Sequence, residues 1–184
     1  MRPPRFADWE AWAALRSESR AFLEPWEPTW PEDALSRAAF RQRLRRHARE
    51  GRAGTAYAFL IFRKTDDVLV GGITLSNVRR GVSRSCSVGY WIGARHARHG
   101  YMYDALTTQA RHAFDTLGLH RIEAACVPDN MASRGLLRKA GFREEGRARE
   151  YLRIDGAWRD HLLFARLASD IVPDGAAPAP AAQA

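Results

Sequence analysis

The sequence is poor in lysine and cysteine and has no long apolar run. Of its 29 basic side chains only Lys64 and Lys139 are lysines, so nearly all the positive charge sits on guanidiniums. The two cysteines, Cys86 and Cys126, are too few for a disulfide-stapled scaffold, and their spacing suggests no metal site. No segment approaches the ~20 apolar residues that a membrane-spanning helix needs. The first residues, MRPPRFADWEAW, lack the apolar middle of a signal peptide. With no internal repeat, a solenoid is excluded as well. These absences lead us to expect a cytoplasmic protein without a membrane partner or a metal.

What is present suits one domain. The chain has 184 residues, of which 46% are hydrophobic, enough for a real core but not for two comfortable ones. We expect a single domain over residues 1–170. The Ala/Pro-rich tail, residues 171–184, has no means of packing and is expected to be disordered. Formal net charge is +8, a field that favours anionic partners such as nucleotide cofactors, ribosomal RNA or acidic protein. The same charge is also compatible with a merely solvated basic surface.

Hydrophobic spacing predicts the elements. Helices are expected over 7–20 and 31–50, the second opened by Pro31, Glu32 and Asp33. The run between them, EPWEPTWP from Glu24 to Pro31, is too rich in proline for regular helix or central strand. Strands are predicted over 56–62, 68–75, 88–92, 120–127, 142–153 and 158–165, with helices over 102–117 and 131–140. Lys64 to Asp67 and Asp155-Gly156 read as hairpin turns. The pair Gly71-Gly72 suggests a bulge or a close backbone approach. Antiparallel strands followed by a βαβ unit predict an α+β (α/β mixed) fold with a mixed sheet.

The most informative stretch is Val88 to Leu117. Val88, Tyr90 and Ile92 alternate as one face of a strand. Met102, Ala105, Leu106, Gln109, Ala110, Ala113, Phe114 and Leu117 follow helical spacing. Arg95-His96-Ala97-Arg98-His99-Gly100 joins them. A helix N-terminus presents unpaired N–H groups and a partial positive charge, so a basic, glycine-bearing loop there makes a phosphate cradle. Downstream, Asn130 stands at a helix N-cap position, which capping alone would explain, and Ser133 lies in the first turn. Arg121 and Glu123 alternate on one strand face, so that carboxylate either reaches a cleft or simply pairs with an arginine.

The residues VGYWIG, HGYMYDAL and LHRIEAACVPDNMASRGLLRKAGFREEG, in this order, resemble the GNAT superfamily of N-acetyltransferases, and more narrowly the RimJ/RimL type that acetylates ribosomal-protein N-termini. The similarity spans nearly the whole chain apart from the tail, including EPWEPTWPED and VGGITLSNVRRG. It implies a central twisted mixed β-sheet with splayed central strands flanked by helices, and acetyl-CoA as donor, with coenzyme A as product. The strands matching 88–92 and 121–127 would part to hold the pantetheine arm. The matching cofactor set is Trp91, Ile92, Arg95, His96, Ala97, Arg98, His99, Gly100, Tyr101, Met102, Asn130 and Ser133. Ser133 matches the position proposed to protonate the departing thiolate, and Glu123 is a candidate to help deprotonate the amine, through water if not directly.

Two departures from the family pattern stand out. The usual loop is Gln/Arg-x-x-Gly-x-Gly/Ala, and Arg98 stands where its first glycine is expected. Relatives also carry a strand before the first helix; with Pro3 and Pro4 in the way, it is expected to be short, absent or lost to a misplaced start codon.

Amine acetylation needs a proton removed from the ammonium, donors for the developing oxyanion and an acid for the thiolate. A backbone N–H near Ile92 suits the oxyanion. An α-amine has a pKa of about 8, so a weak base or water suffices, which favours N-terminal over lysine acetylation. EPWEPTWP is either an acceptor-side lid or a rigid aromatic loop; as a lid it offers Glu24 and Glu27 to a cationic amine and Trp26 and Trp30 as walls. The expected activity is acetyl transfer to a protein N-terminus, a ribosomal protein being the candidate acceptor, by a monomer or homodimer. A small-molecule amine acetyltransferase, or a basic ribosome- or RNA-binding module with incidental rRNA contact, are the alternatives.

Overall fold

The computed structural model describes residues 1–170; the tail assigned to disorder lies outside them. Helices α1 (Trp9–Glu18), α2 (Arg20–Leu23) and α3 (Arg37–Ala53) lead into strands β1 (Tyr57–Phe62), β2 (Leu69–Arg79) and β3 (Ser85–Ile92). Helix α4 (Tyr101–Arg111), strand β4 (Arg121–Cys126), helix α5 (Met131–Lys139) and strands β5 (Arg143–Ile154) and β6 (Ala157–Leu167) follow. The six strands form one sheet in the order β1-β2-β3-β4-β6-β5. Only the β3–β4 pair is parallel, so the mixed sheet expected from the sequence is the one observed. No helix among the described residues is long and apolar enough to cross a membrane.

Alternation along the strands divides the core between the two faces. Ile73, Leu75, Val88, Ile122 and Phe164 pack under Leu106 of α4 and Leu137 of α5. On the opposite face Leu60 and Leu69 meet Trp12 and Leu15 of α1 and Phe40 of α3. Phe40 is only 1% exposed, and its ring lies 4.9 Å from that of Trp12. Burying such a ring contributes about 2–3 kcal/mol, so α3 is held to the sheet by its one apolar stripe.

Several expected boundaries shift, each for a local reason. The helix expected over 31–50 begins only at Arg37, because Ser36 Oγ accepts the Ala39 N–H at 3.1 Å and caps it there. It runs past the expected end to Ala53, where Gly54 turns left-handed with φ 68°. The first helix is broken: a 3₁₀ turn over Phe6–Asp8 precedes α1, and Ser19 separates α1 from α2. β2 continues to Arg79 and β3 begins at Ser85, which leaves a shorter turn than expected. The helix expected over 102–117 ends in a π-helical turn, His112–Thr116, before Gly118 at φ 64°. Both Asp155 and Gly156 have positive φ, as the two-residue hairpin requires. Of the family's first strand, the described residues hold only an isolated bridge between Arg2 and Leu60.

Candidate active site

The site begins where the two central strands part. β3 and β4 pair only at Ser85–Arg121, Cys86–Ile122 and Ser87–Glu123. β3 then runs on to Ile92 and β4 to Cys126 without meeting, and the facing edges of this V have no ladder partners. Such edges suit an extended chain carrying amide groups. β3 is pinned from its other side by close contact with β2. Val70 is an extra residue in β2, since Ile61 pairs with Gly71 and Phe62 with Leu69. A Cβ on Gly71 would lie 2.4 Å from the Trp91 carbonyl, and one on Gly72 2.5 Å from Trp91 Nε1. The bulge and the close approach suggested by the Gly-Gly pair are therefore both present, and together they fix the end of β3.

The basic loop at the mouth of the V is held by groups that no local pattern marks. Gly93 N–H donates to Val70 O at 2.9 Å, and Ala94 N–H to the buried Ser19 Oγ at 2.9 Å. Gly93 leaves room for Leu15, whose Cδ1 would lie 2.4 Å from a Cβ there. The segment Ala94–His96 forms one 3₁₀ turn. Arg98 then takes φ 65° and Gly100 φ 84°, so the chain turns left-handed at both positions where the family pattern has small residues. The N-terminus of α4 has no side-chain cap, which leaves its first-turn N–H groups to an anion.

Arg95 and Arg98 bring permanent charge to this loop. His96 is buried; burial, with Arg95, Arg63 and His99 beside it, pushes its pKa down. Arg95 Nε donates to His96 Nε2 at 3.2 Å, and Arg95 also pairs with Glu18 at 3.2 Å. His99 stacks on Tyr101, with ring centroids 5.9 Å apart, while Met102 is buried under the sheet. Arg98 carries a conformational cost that glycine would not. Arg98→Gly should raise the thermal midpoint by about 2–4 °C, from about 1 kcal/mol of relieved strain. It should also weaken coenzyme A binding, most at low salt. Calorimetry against a melting curve checks both signs.

Across the V, Asn130 Oδ1 accepts the Ser133 N–H at 3.0 Å and caps α5. Ser133 Oγ and the Tyr90 hydroxyl share a hydrogen bond at 2.7 Å. This bond spans the open part of the cleft, from α5 to β3. Burial pushes the Tyr90 phenol well above its ordinary range, the Ser133 hydrogen bond opposing, and burial also raises the Cys126 thiol. Glu123 is not brought to this pair. It occupies the last rung before the strands part, where Arg121 Nε donates to it at 2.9 Å and Glu145 also holds Arg121. Since Ile122 and Ala124 point into the α4/α5 core, Glu123 faces the other side of the sheet.

That other side holds a cavity of about 720 Å³. Its floor is made of small residues on β1, β2 and β3, among them Ala58, Gly72, Thr74 and Gly89, and Trp91 and α3 form its walls. Glu27 and Trp30 line it, while Glu24 and Trp26 do not. Glu24 pairs with Arg20 at 2.6 Å, and Trp26 is 37% exposed. Glu27 accepts from both terminal nitrogens of Arg16 and, at 2.8 Å, from Trp30 Nε1. The Arg16 guanidinium lies 4.4 Å from the Trp30 ring and 4.9 Å from that of Trp91. The proline-rich segment lies mostly exposed at the rim of this cavity, tied by Asp155 N–H to Glu27 O at 3.0 Å. Tyr90, Ser19, Gly93 and Arg16 are the site residues that sequence reasoning missed. Only the Tyr90 alternation hinted at one of them, and it was absorbed as core.

An open mixed sheet with a parted central pair, a basic loop on an uncapped helix and a cavity beyond the parting defines an acyltransferase that takes a nucleotide-bearing thioester. The chain belongs to the acetyltransferase (GNAT) domain family, which it matches over residues 1–143. It is an N-acetyltransferase, and its donor is acetyl-CoA. It is 38% identical over 168 residues to the [ribosomal protein uS5]-alanine N-acetyltransferase of Escherichia coli K12, covering 90% of this chain and 87% of that protein. Among solved structures it is similar to Mycobacterium smegmatis RimJ in complex with CoA-disulfide, with 38% identity and TM-score 0.85 over 91% of this chain and 80% of the other. It is also similar to the ribosomal-protein-S5-alanine acetyltransferase of Vibrio fischeri, with 30% identity and TM-score 0.85 over 92% of each chain.

Proposed function

We propose that the protein acetylates the α-amine of a protein N-terminus in the cytoplasm, a ribosomal protein being the acceptor. The observation that carries this reading is the cavity beyond β3. It is open, walled by tryptophans and floored by small residues, and it has room for the end of a peptide. Acetyl-CoA supplies the activated acetyl group as a thioester. The Arg95–Gly100 loop and the first turn of α4, Tyr101 and Met102, hold its phosphates; the β3 edge at Trp91 and Ile92, with Asn130, receives the pantetheine arm.

The remaining chemistry falls to side chains of the chain. Tyr90 is kept as a phenol by burial; when it is the donor in the bond it shares with Ser133 Oγ, the Ser133 proton is free to face the position of a leaving sulfur. Tyr90 is therefore a positioning residue, and Ser133 the acid. A backbone N–H near Ile92 faces the developing negative charge. With an acceptor pKa of about 8, solvent water is base enough, and Glu123, paired with Arg121 and absent from the cavity wall, is not needed. Glu27 and Trp30 bound the acceptor. The exposed arginines of α3, Arg41, Arg45, Arg49 and Arg52, support an incidental contact with ribosomal RNA.

Purified protein with acetyl-CoA should acetylate a peptide beginning with alanine or serine, read as the acetyl mass on its first residue. An amine panel run beside the peptide panel separates this from small-molecule acetylation. No thermal shift with acetyl-CoA and no turnover on any amine would sink the proposal.

A further inference from the structure

The charges around the acceptor cavity do not cancel, and the imbalance has one source. Arg16 is answered by Glu27. Arg46 and Glu50 lie 3.8 Å apart. His47 adds no charge, because burial and the neighbouring arginines push its pKa down. Arg43 walls the same cavity with its guanidinium 5.3 Å from the Trp12 ring, and no carboxylate lies within ion-pair distance of it among the described residues. Crowding by the cavity wall, with Arg16 and Arg46 nearby and Glu27 opposing, pushes its pKa down, while the side chain stays exposed to solvent and so open to a ligand. One further polar group is unanswered there: His47 Nδ1 is buried without a hydrogen-bond partner, 3.7 Å from Glu50.

We infer that Arg43 reads an anionic side chain of the acceptor, so the preferred substrate is a peptide with a carboxylate a few residues after its reactive amine. This rests on the cavity being the acceptor side. A guanidinium beside an indole, with none of its N–H groups committed to a carboxylate, offers a fork to one that arrives. A peptide bringing aspartate or glutamate past Trp91 would neutralise the cavity. One bringing lysine would add a second unanswered cation beside Arg43. Arg43 lies on α3 and makes no hydrogen bond to Tyr90 or Ser133, so its influence falls on acceptor binding rather than on the proton steps.

The test is acetylation of alanine-initiated peptides carrying Asp, Asn or Lys at the second, third or fourth position, by wild type, Arg43→Gln and Arg43→Glu. For wild type, KM should be about tenfold lower for Asp than for Asn at the best position, with kcat little changed, and the ratio should shrink with added salt. Arg43→Gln should flatten the preference, and Arg43→Glu should invert it toward Lys. A wild-type Asp-to-Asn ratio near one, or a preference that survives both substitutions, overturns the inference while leaving N-terminal acetylation standing. Turnover on free amines but on no peptide would instead remove the N-terminal reading and this inference with it. Melting curves confirm folding of each variant, and should Arg43→Glu fail to fold, the wild-type ratio and Arg43→Gln decide alone.

Discussion

Ser133→Ala should lower kcat about 100-fold, a loss of about 2.7 kcal/mol of transition-state stabilisation, with the Kd for coenzyme A nearly unchanged. The hydroxyl is the polar group that α5 extends to the partner strand across the cleft, at 2.7 Å from Tyr90. Its backbone N–H is already taken by Asn130, and alanine keeps that cap. The substitution removes the proton donor and leaves the Tyr90 hydroxyl without its partner, a cost of about 1–3 kcal/mol in stability that a melting curve reads separately. Tyr90→Phe leaves the serine in place but unsupported, and should cost less, about tenfold. Single-turnover rates alongside coenzyme A titrations separate the two quantities. Parallel loss of turnover and cofactor binding in Ser133→Ala would make the serine merely structural.

The largest stability effect is expected at Gly71. Gly71→Ala places a methyl group 2.4 Å from the Trp91 carbonyl and 3.2 Å from Ile92 Cα. Both obstacles include backbone of the central strand, so no side chain can swing away to relieve them. A cost of about 3 kcal/mol is expected, or about 6–12 °C in thermal midpoint for a chain of this size. Turnover should fall as well, because the displaced segment is the end of β3 that borders both the cleft and the acceptor cavity. Gly81→Ala is the control: nothing lies within 4 Å of a Cβ there, and its effect should stay within about 0.5 kcal/mol. Equal melting of the two variants would show that β2 and β3 have slack at this crossing.

Periodic segments declared themselves in the sequence. The apolar spacing from Met102 to Ala113 is that of a helix buried on one face, and α4 has that burial. Asp155-Gly156 demanded positive φ at two successive positions, and the hairpin provides it. Capping was harder to weigh. Pro31, Glu32 and Asp33 looked like a helix start, but the Ser36 hydroxyl supplies the hydrogen bond that decides where α3 begins.

What lay beyond reach were contacts between distant segments. Ser19 and Ala94 are joined by one hydrogen bond across 75 positions, and nothing in either neighbourhood announces the other. Tyr90 has the spacing of a core residue because it is one; its hydroxyl matters only because α5 brings Ser133 to it. The unexpected arginine at position 98 was visible as a departure from the family pattern, while its left-handed conformation needed the backbone.

The short β3–β4 pairing has a consequence for the whole molecule. The sheet is two antiparallel halves, β1–β2–β3 and β4–β6–β5, joined by only three register pairs of parallel strand, the weaker kind of ladder. Whatever lies in the parting adds the rungs that the chain leaves out. Donor occupancy then becomes part of the architecture: at a ligand concentration a hundredfold above Kd it adds about 2.7 kcal/mol to the folded state. A cell short of acetyl-CoA would hold a looser and more perishable protein, so the supply of the donor would set the lifetime of the enzyme as well as its rate.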